Sequence, residues 1–170
     1  PSTMGLLGAN FIGITLFAIS IWLGIKLLNF FGNNEKVEFM EAFNTFAITI
    51  LPIALGYHFA HYFISFLVQI QYLLATIADP IAKGWNLFGL NRITITTGFL
   101  KSMDTVRPIL ITNLTAVICS HILSVILAHR LAAKFCTSRW DLFLIQSGLS
   151  LLMLTFTIFG LWLLTTPRGA

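Results

Sequence analysis

Charged side chains are scarce in this chain. Only 9% of its 170 residues are charged, whereas 57% are hydrophobic and the mean hydropathy is +0.89. Soluble domains carry about 25% charged residues. So few charges cannot cover a soluble protein of this size, and the composition also argues against intrinsic disorder. A net charge of +4 spread over membrane connections contacts lipid headgroups, so it does not indicate nucleic-acid binding.

Neither the cysteines nor any familiar catalytic motif indicates a function. Cys119 and Cys136 are the only two cysteines, and their spacing fits neither a zinc site nor a disulfide framework. The sequence holds no GxSxG, HExxH, P-loop or GxGxxG pattern. All six carboxylates fall in connections or at the edges of apolar stretches, which argues against a proton-driven transporter.

Four apolar stretches are long enough to cross a bilayer, which takes about 20 residues. We name them spans A to D, at residues 4–31, 42–78, 108–133 and 141–165. Span B is longer than one crossing needs, and Pro108 stands at a favourable first-turn position of span C. The sequence predicts an all-α integral membrane four-helix bundle, with residues 1–170 as one transmembrane domain and a long B–C connection. That connection contains a β-like run at residues 93–97 and could be a lid, an in-plane hairpin or a docking surface.

All four histidines lie inside two of the spans. His58 and His61 are in span B, and His121 and His129 are in span C. Ionisable residues within a membrane are costly and usually mark function. Counted from the B–C side, His61 is ~21 Å deep, His121 ~20 Å and His58 ~25 Å, whereas His129 approaches the opposite interface. Three imidazoles are therefore predicted to meet near one depth.

Other residues sharpen this prediction. Pro52 removes a hydrogen bond to Ile48 and allows a kink in span B. Polar side chains form a stripe at helical spacing in span D: Gln146, Ser150, Met153 and Thr157. Met153 in this stripe matches the depth of His121, so its thioether is a candidate soft fourth ligand.

Three interpretations of the histidines compete. In the first, one histidine from span B and one from span C hold haem b, for which imidazole is a standard axial ligand. In the second, His58, His61 and His121 bind copper, with zinc as another possibility and Met153 as the soft ligand. In the third, there is no cofactor and the histidines only form hydrogen bonds between helices. His129 is considered separately from these three residues, as either a second-site ligand or an interfacial side chain.

A set of short motifs runs through the last three spans: residues 52–62 (PIALGYHFAHY), 79–80 (DP), 84–89 (GWNLFG), 120–121 (SH), 127–129 (LAH), Gln146 and 160–164 (GLWLL). On these motifs the chain resembles a family of bacterial multispan membrane proteins, some of which are labelled fenitrothion hydrolase. It matches the C-terminal part of longer members, so we expect the chain to be a fragment of a longer protein. The resemblance implies that all four histidines belong to the family pattern and that the protein sits in the bacterial inner membrane.

The preferred hypothesis is a membrane subunit of a redox or electron-transfer assembly. Its cofactor-binding residues are His58, His61, His121 and His129, and its partners are the lipid bilayer and other membrane subunits, without nucleic acid. A metal-dependent membrane hydrolase is the first alternative, with Asp79 as the nearest carboxylate. A structural or assembly subunit that docks through the B–C connection is the second.

Overall fold

The protein is all-α in a computed structural model that describes residues 3–32, 36–81, 83–85, 87 and 95–165. Within these residues it has no strand. The helices are α1 (Thr3–Phe31), α2 (Phe39–Ala47), α3 (Ile50–Ala78), α4 (Met103–Ala132) and α5 (Arg139–Thr165). Among the described residues, four stretches are long and apolar enough to cross a membrane: Thr3–Phe31, Phe39–Ala78, Met103–Ala132 and Arg139–Trp162. This is the helix content of a multi-pass membrane bundle, as predicted.

Span B is divided into two helices. The helix of residues 39–47 ends before Ile48 and Thr49, and α3 begins at Ile50. Pro52 is therefore the third residue of α3, where an N–H has no intrahelical acceptor in any case. A proline disturbs a helix on its N-terminal side, because it has no N–H for the carbonyl oxygen four residues earlier and its ring clashes with that carbonyl group. The carbonyl oxygen in question is that of Ile48, which accepts from Leu51 N at 3.2 Å instead. The structure therefore has a break where Pro52 was predicted to allow a kink.

Span C begins earlier than predicted. The helix starts at Met103, and Ser102 accepts the first bonds through its carbonyl oxygen, from Thr105 N at 3.2 Å and Val106 N at 3.0 Å. Pro108 consequently lies inside α4 rather than at its start. In the B–C connection, Ile93 and Thr94 of the β-like run lie outside the described residues. The rest of the run is not a strand, and a short 3-10 helix follows at Gly98–Leu100.

The chain divides into two compact units. Unit 1 comprises Pro1–Ala54 and Ile118–Ala170, and unit 2 comprises Leu55–Val117. In unit 1, α1 and α5 cross without intervening side chains. A Cβ on Gly24 would collide with the carbonyl oxygen of Ile145, and a Cβ on Gly148 would collide with that of Ser20. Small residues at such a crossing bring two backbones together, which is how membrane helices gain packing contacts.

The core of unit 1 surrounds this crossing. Its fully buried side chains include Leu28, Phe46 and Ile145, from α1, α2 and α5. Phe46 also stacks with Phe135, the two ring centroids being 6.0 Å apart, which ties α2 to the turn between α4 and α5. Trp140 Nε1 donates to the Phe31 carbonyl oxygen at 3.3 Å, satisfying an acceptor that the end of α1 leaves open.

In unit 2, the side-chain amide of Gln71 holds the B–C connection against α3. Gln71 Nε2 donates to the Thr96 carbonyl oxygen at 3.1 Å, and Thr96 N donates to Gln71 Oε1 at 2.9 Å. Asp79 fixes the turn after α3, because its two carboxylate oxygens accept from Lys83 N at 2.9 Å and Gly84 N at 2.7 Å. Gly84 has φ +79°, a conformation that glycine adopts at little cost.

Candidate functional site: the groove between α4 and α5

A groove with two adjoining cavities runs between α4 and α5 in unit 1. The upper cavity, of about 600 Å³, lies at the end nearest the α4–α5 turn and contains His129, Arg130 and Gln146. The lower cavity, of about 390 Å³, contains His121, Met153 and Thr157. Ser150 lines both. All four residues of the polar stripe predicted in span D therefore border this groove, whose other walls are aliphatic and aromatic.

His121 and Met153 share the lower cavity. Met153 is 4% exposed, and its Sδ lies 3.6 Å from Ser124 Oγ. His121 lies one turn before Ser124 on the same helix, and its Nε2 atom is shielded from solvent. One nitrogen donor and one soft sulfur donor thus border the same space.

Ser124 also satisfies a backbone carbonyl group at the interruption between α2 and α3. Thr49 is fully buried, and its hydroxyl donates to the Phe46 carbonyl oxygen at 2.6 Å. The Thr49 carbonyl oxygen in turn accepts a hydrogen bond from the Ser124 hydroxyl, and Met153 Sδ lies 3.6 Å from the same hydroxyl oxygen. A broken helix at membrane depth is tolerated when a neighbouring side chain satisfies its backbone. The cluster of Thr49, Ser124 and Met153 was missed from the sequence, because a serine in a span usually bonds to its own helix.

His129 is oriented by a residue of the neighbouring helix. Its Nδ1 lies 3.0 Å from Gln146 Nε2. With the amide nitrogen as donor, Nδ1 is the acceptor and the ring proton is on Nε2. An Nε2–H group donates hydrogen bonds and has no lone pair for a metal. In this tautomer His129 suits an anion better than the second-site metal that the sequence suggested for it.

His58 and His61 lie on exposed faces of α3 in unit 2. His58 stacks on Tyr62 with ring centroids 5.9 Å apart, and His61 stacks on Tyr57 with centroids 6.1 Å apart. Tyr57 and Tyr62 are each more than half exposed. Because His58 and His61 belong to unit 2 and His121 to unit 1, the predicted meeting of the three imidazoles stays a prediction.

The chemistry available in the described residues is limited to a few donor types. No group of three or more His, Cys, Asp or Glu side chains among them is arranged to hold a metal ion. Asp79, the carboxylate considered for hydrolysis, has both oxygens engaged by backbone N–H groups and acts as a cap of its own turn. The lower cavity offers imidazole and thioether, and the upper cavity offers imidazole, guanidinium and amide.

Comparisons with protein-family models, with curated protein sequences and with solved structures give no match. The likeness to the family labelled fenitrothion hydrolase accordingly remains a prediction from the quoted motifs.

Proposed function

We propose that the protein is the membrane subunit of a redox or electron-transfer assembly, and that copper binds in the lower cavity at His121 and Met153. The observation that carries the proposal is the presence of these two donors in one cavity on neighbouring membrane-spanning helices. Imidazole suits copper, and thioether sulfur selects Cu(I). A soft ligand that stabilises the reduced ion is what an electron-transfer site needs.

The surroundings of Met153 support this role. Its sulfur lies 3.6 Å from the Ser124 hydroxyl oxygen, and that hydroxyl donates to the Thr49 carbonyl oxygen. Outer partners of this kind orient a ligand, and losing one costs about 10- to 100-fold in metal affinity. Because Thr49 and Ser124 are fully buried, the position of the sulfur depends on packing rather than on a flexible surface contact.

The test is metal analysis and an optical spectrum of the purified full chain after loading with Cu(I). His121→Ala and Met153→Leu are each expected to lower copper affinity at least about tenfold. Met103→Leu is the matched control, since Met103 is 70% exposed at the start of α4. Equal affinity in Met153→Leu and Met103→Leu would overturn the copper site. A Soret band in the unloaded protein would instead assign haem, for which His and Met are also an axial pair.

His58 and His61 are the further ligands that the sequence predicts, and the same titration examines them. If they bind the same ion, His58→Ala and His61→Ala lower copper affinity together with His121→Ala. Unchanged affinity in both would restrict the centre to unit 1 and leave the proposed function standing.

A structural or assembly subunit is the second candidate function. It is favoured by the exposed row of stacked rings on α3, Tyr57, His58, His61 and Tyr62, because aromatic side chains are enriched where proteins meet. In that case none of the four His→Ala variants changes redox activity. His58→Ala and His61→Ala would then weaken co-purification of the partner subunit, and His121→Ala would not.

A further inference from the structure

The α4–α5 turn concentrates exposed positive charge. Arg130, Lys134 and Arg139 are all exposed there. Asp141 is the only carboxylate between residues 129 and 146, but it is fully buried. Its Oδ1 is directed toward Gly32, where a Cβ would come within 2.8 Å of it. The exposed charge of this turn therefore consists of three cations with no carboxylate among them.

The upper cavity begins beside this turn and continues along the two helices as an apolar trough. Its lining extends on α5 from Phe143 to Leu154, a rise of about 16 Å. That is about half of the ~30 Å hydrocarbon core, the depth of one leaflet. Val125, Ile126 and Leu151 form much of the wall, and each is at least 40% exposed. The trough thus has the length and the surface of a site for one acyl chain.

The polar end of the trough is prepared for an anion. Gln146 Nε2 lies 3.0 Å from His129 Nδ1, and with the amide nitrogen as the donor the ring donates through Nε2–H. Arg130 lines the same cavity and adds a guanidinium, which binds phosphate oxygens through paired N–H groups. Ser147 does not compete for the ligand, since its hydroxyl donates to the Leu144 carbonyl oxygen at 2.7 Å.

We propose that this groove is a binding site for an anionic phospholipid. The phosphodiester is held by Arg130 and His129, and one acyl chain lies along the trough between α4 and α5. Basic pockets between membrane helices bind anionic headgroups in this way. The inference does not depend on copper at His121, because the headgroup contacts lie at the other end of the groove.

Native mass spectrometry of the purified full chain tests whether lipid binding depends on the charge of the headgroup and of Arg130. The protein is incubated with phosphatidylglycerol or with phosphatidylcholine of the same acyl chains, and the retained lipid is counted. We expect wild-type protein to retain phosphatidylglycerol preferentially and Arg130→Gln to retain about fivefold less. Lys101→Gln, which removes an exposed cation from the other connection, leaves retention unchanged. Equal retention of the two lipids, or equal losses in the two variants, would overturn the proposal.

A second pair of variants tests the trough and leaves every charge in place. Val125→Trp fills the groove wall, whereas Leu123→Trp adds the same bulk at a 58% exposed position of α4 outside the lining. Phosphatidylglycerol retention is expected to fall only in Val125→Trp. Unchanged retention there, or displacement of the lipid by inorganic phosphate alone, would show that no acyl chain occupies the groove.

Discussion

Replacing Gly24 by alanine tests the crossing of α1 and α5. The added Cβ would meet backbone atoms, Ile145 O and, at 3.0 Å, Ile145 C, so no side-chain rotation can relieve the collision. The two helices must therefore separate by about 1 Å, toward the wider end of the usual interaxial range. A gap of that size forfeits about a quarter to a half of the attraction at each contact it opens.

The expected cost follows from these terms. Overpacking against an immovable backbone lies near the upper end of its range, about 3 kcal/mol. The higher helix propensity of alanine offsets about 1 kcal/mol of this, leaving a net loss of about 2 kcal/mol. For a chain of this length the loss lowers Tm by roughly 4–8 °C. Gly8→Ala and Gly160→Ala are matched controls on the same two helices, since a Cβ at either position meets nothing within 4 Å.

The buried thiol of Cys136 provides the assay. It is 2% exposed in the core of unit 1, whereas Cys119 is exposed, so a Cys119→Ala background leaves one thiol that a reactive fluorophore reaches only on unfolding. The labelling midpoint on heating should fall in Gly24→Ala and stay level or rise in Gly8→Ala. Gly148→Ala should destabilise the Gly24→Ala protein less than it destabilises the wild-type protein, because a single separation of α1 and α5 relieves both collisions. Equal midpoints for Gly24→Ala and Gly8→Ala would refute the close crossing.

Two further substitutions test individual hydrogen bonds, and a third tests a buried oxygen atom that lacks one. Ser124→Ala leaves the buried Thr49 carbonyl oxygen without its hydroxyl donor and should cost about 1–3 kcal/mol in the thiol assay; a cost near zero would contradict the bond. Gln71→Met removes both hydrogen bonds to the Thr96 backbone, so amide hydrogen exchange at residues 95–97 should accelerate, and unaltered exchange would argue against this anchor. Asn113 is 7% exposed with no hydrogen-bond partner for its Oδ1 among the described residues, so Asn113→Leu should stabilise the protein by about 1 kcal/mol, whereas destabilisation would reveal a polar role.

Hydropathy predicted the bounds of the first and last helices closely, but it missed the interruption of span B. The first span was predicted at residues 4–31 and α1 covers Thr3–Phe31, because the apolar run itself sets the ends of a membrane helix. Residues 42–78 are apolar on both sides of Thr49, so hydropathy gives no sign of a break there. Pro52 was the available signal, since proline is favoured in the first turn of a helix as well as at a kink.

The candidate site was partly predictable for a similar reason. Steps of three and four along α5 bring Gln146, Ser150 and Met153 to one face in any α-helix, and the structure has them on one groove. Which neighbour that face meets depends on the rotation of α5, and the crossing at Gly24 and Gly148 decides this rotation. Ser20 and Gly24 have the spacing of a small-residue packing motif, which is the sequence signal for that crossing.

Hydroxyl groups and imidazole rings in these spans find their hydrogen-bond partners in different places. Most bond to their own helix, as Thr15 does to the Phe11 carbonyl oxygen at 2.8 Å and Thr157 to the Met153 carbonyl oxygen at 2.7 Å. Such a residue needs nothing from a neighbour, so its presence in a span carries little functional information. An imidazole ring is too large and too distant from its own carbonyl groups for this arrangement, and it must be served by another helix or by a ligand. Ser124 departs from its class by bonding to the interrupted backbone at Thr49, with its hydroxyl oxygen 3.6 Å from Met153 Sδ. Two of the four imidazoles, those of His121 and His129, border the α4–α5 groove, which is where substitutions should alter function before they alter folding.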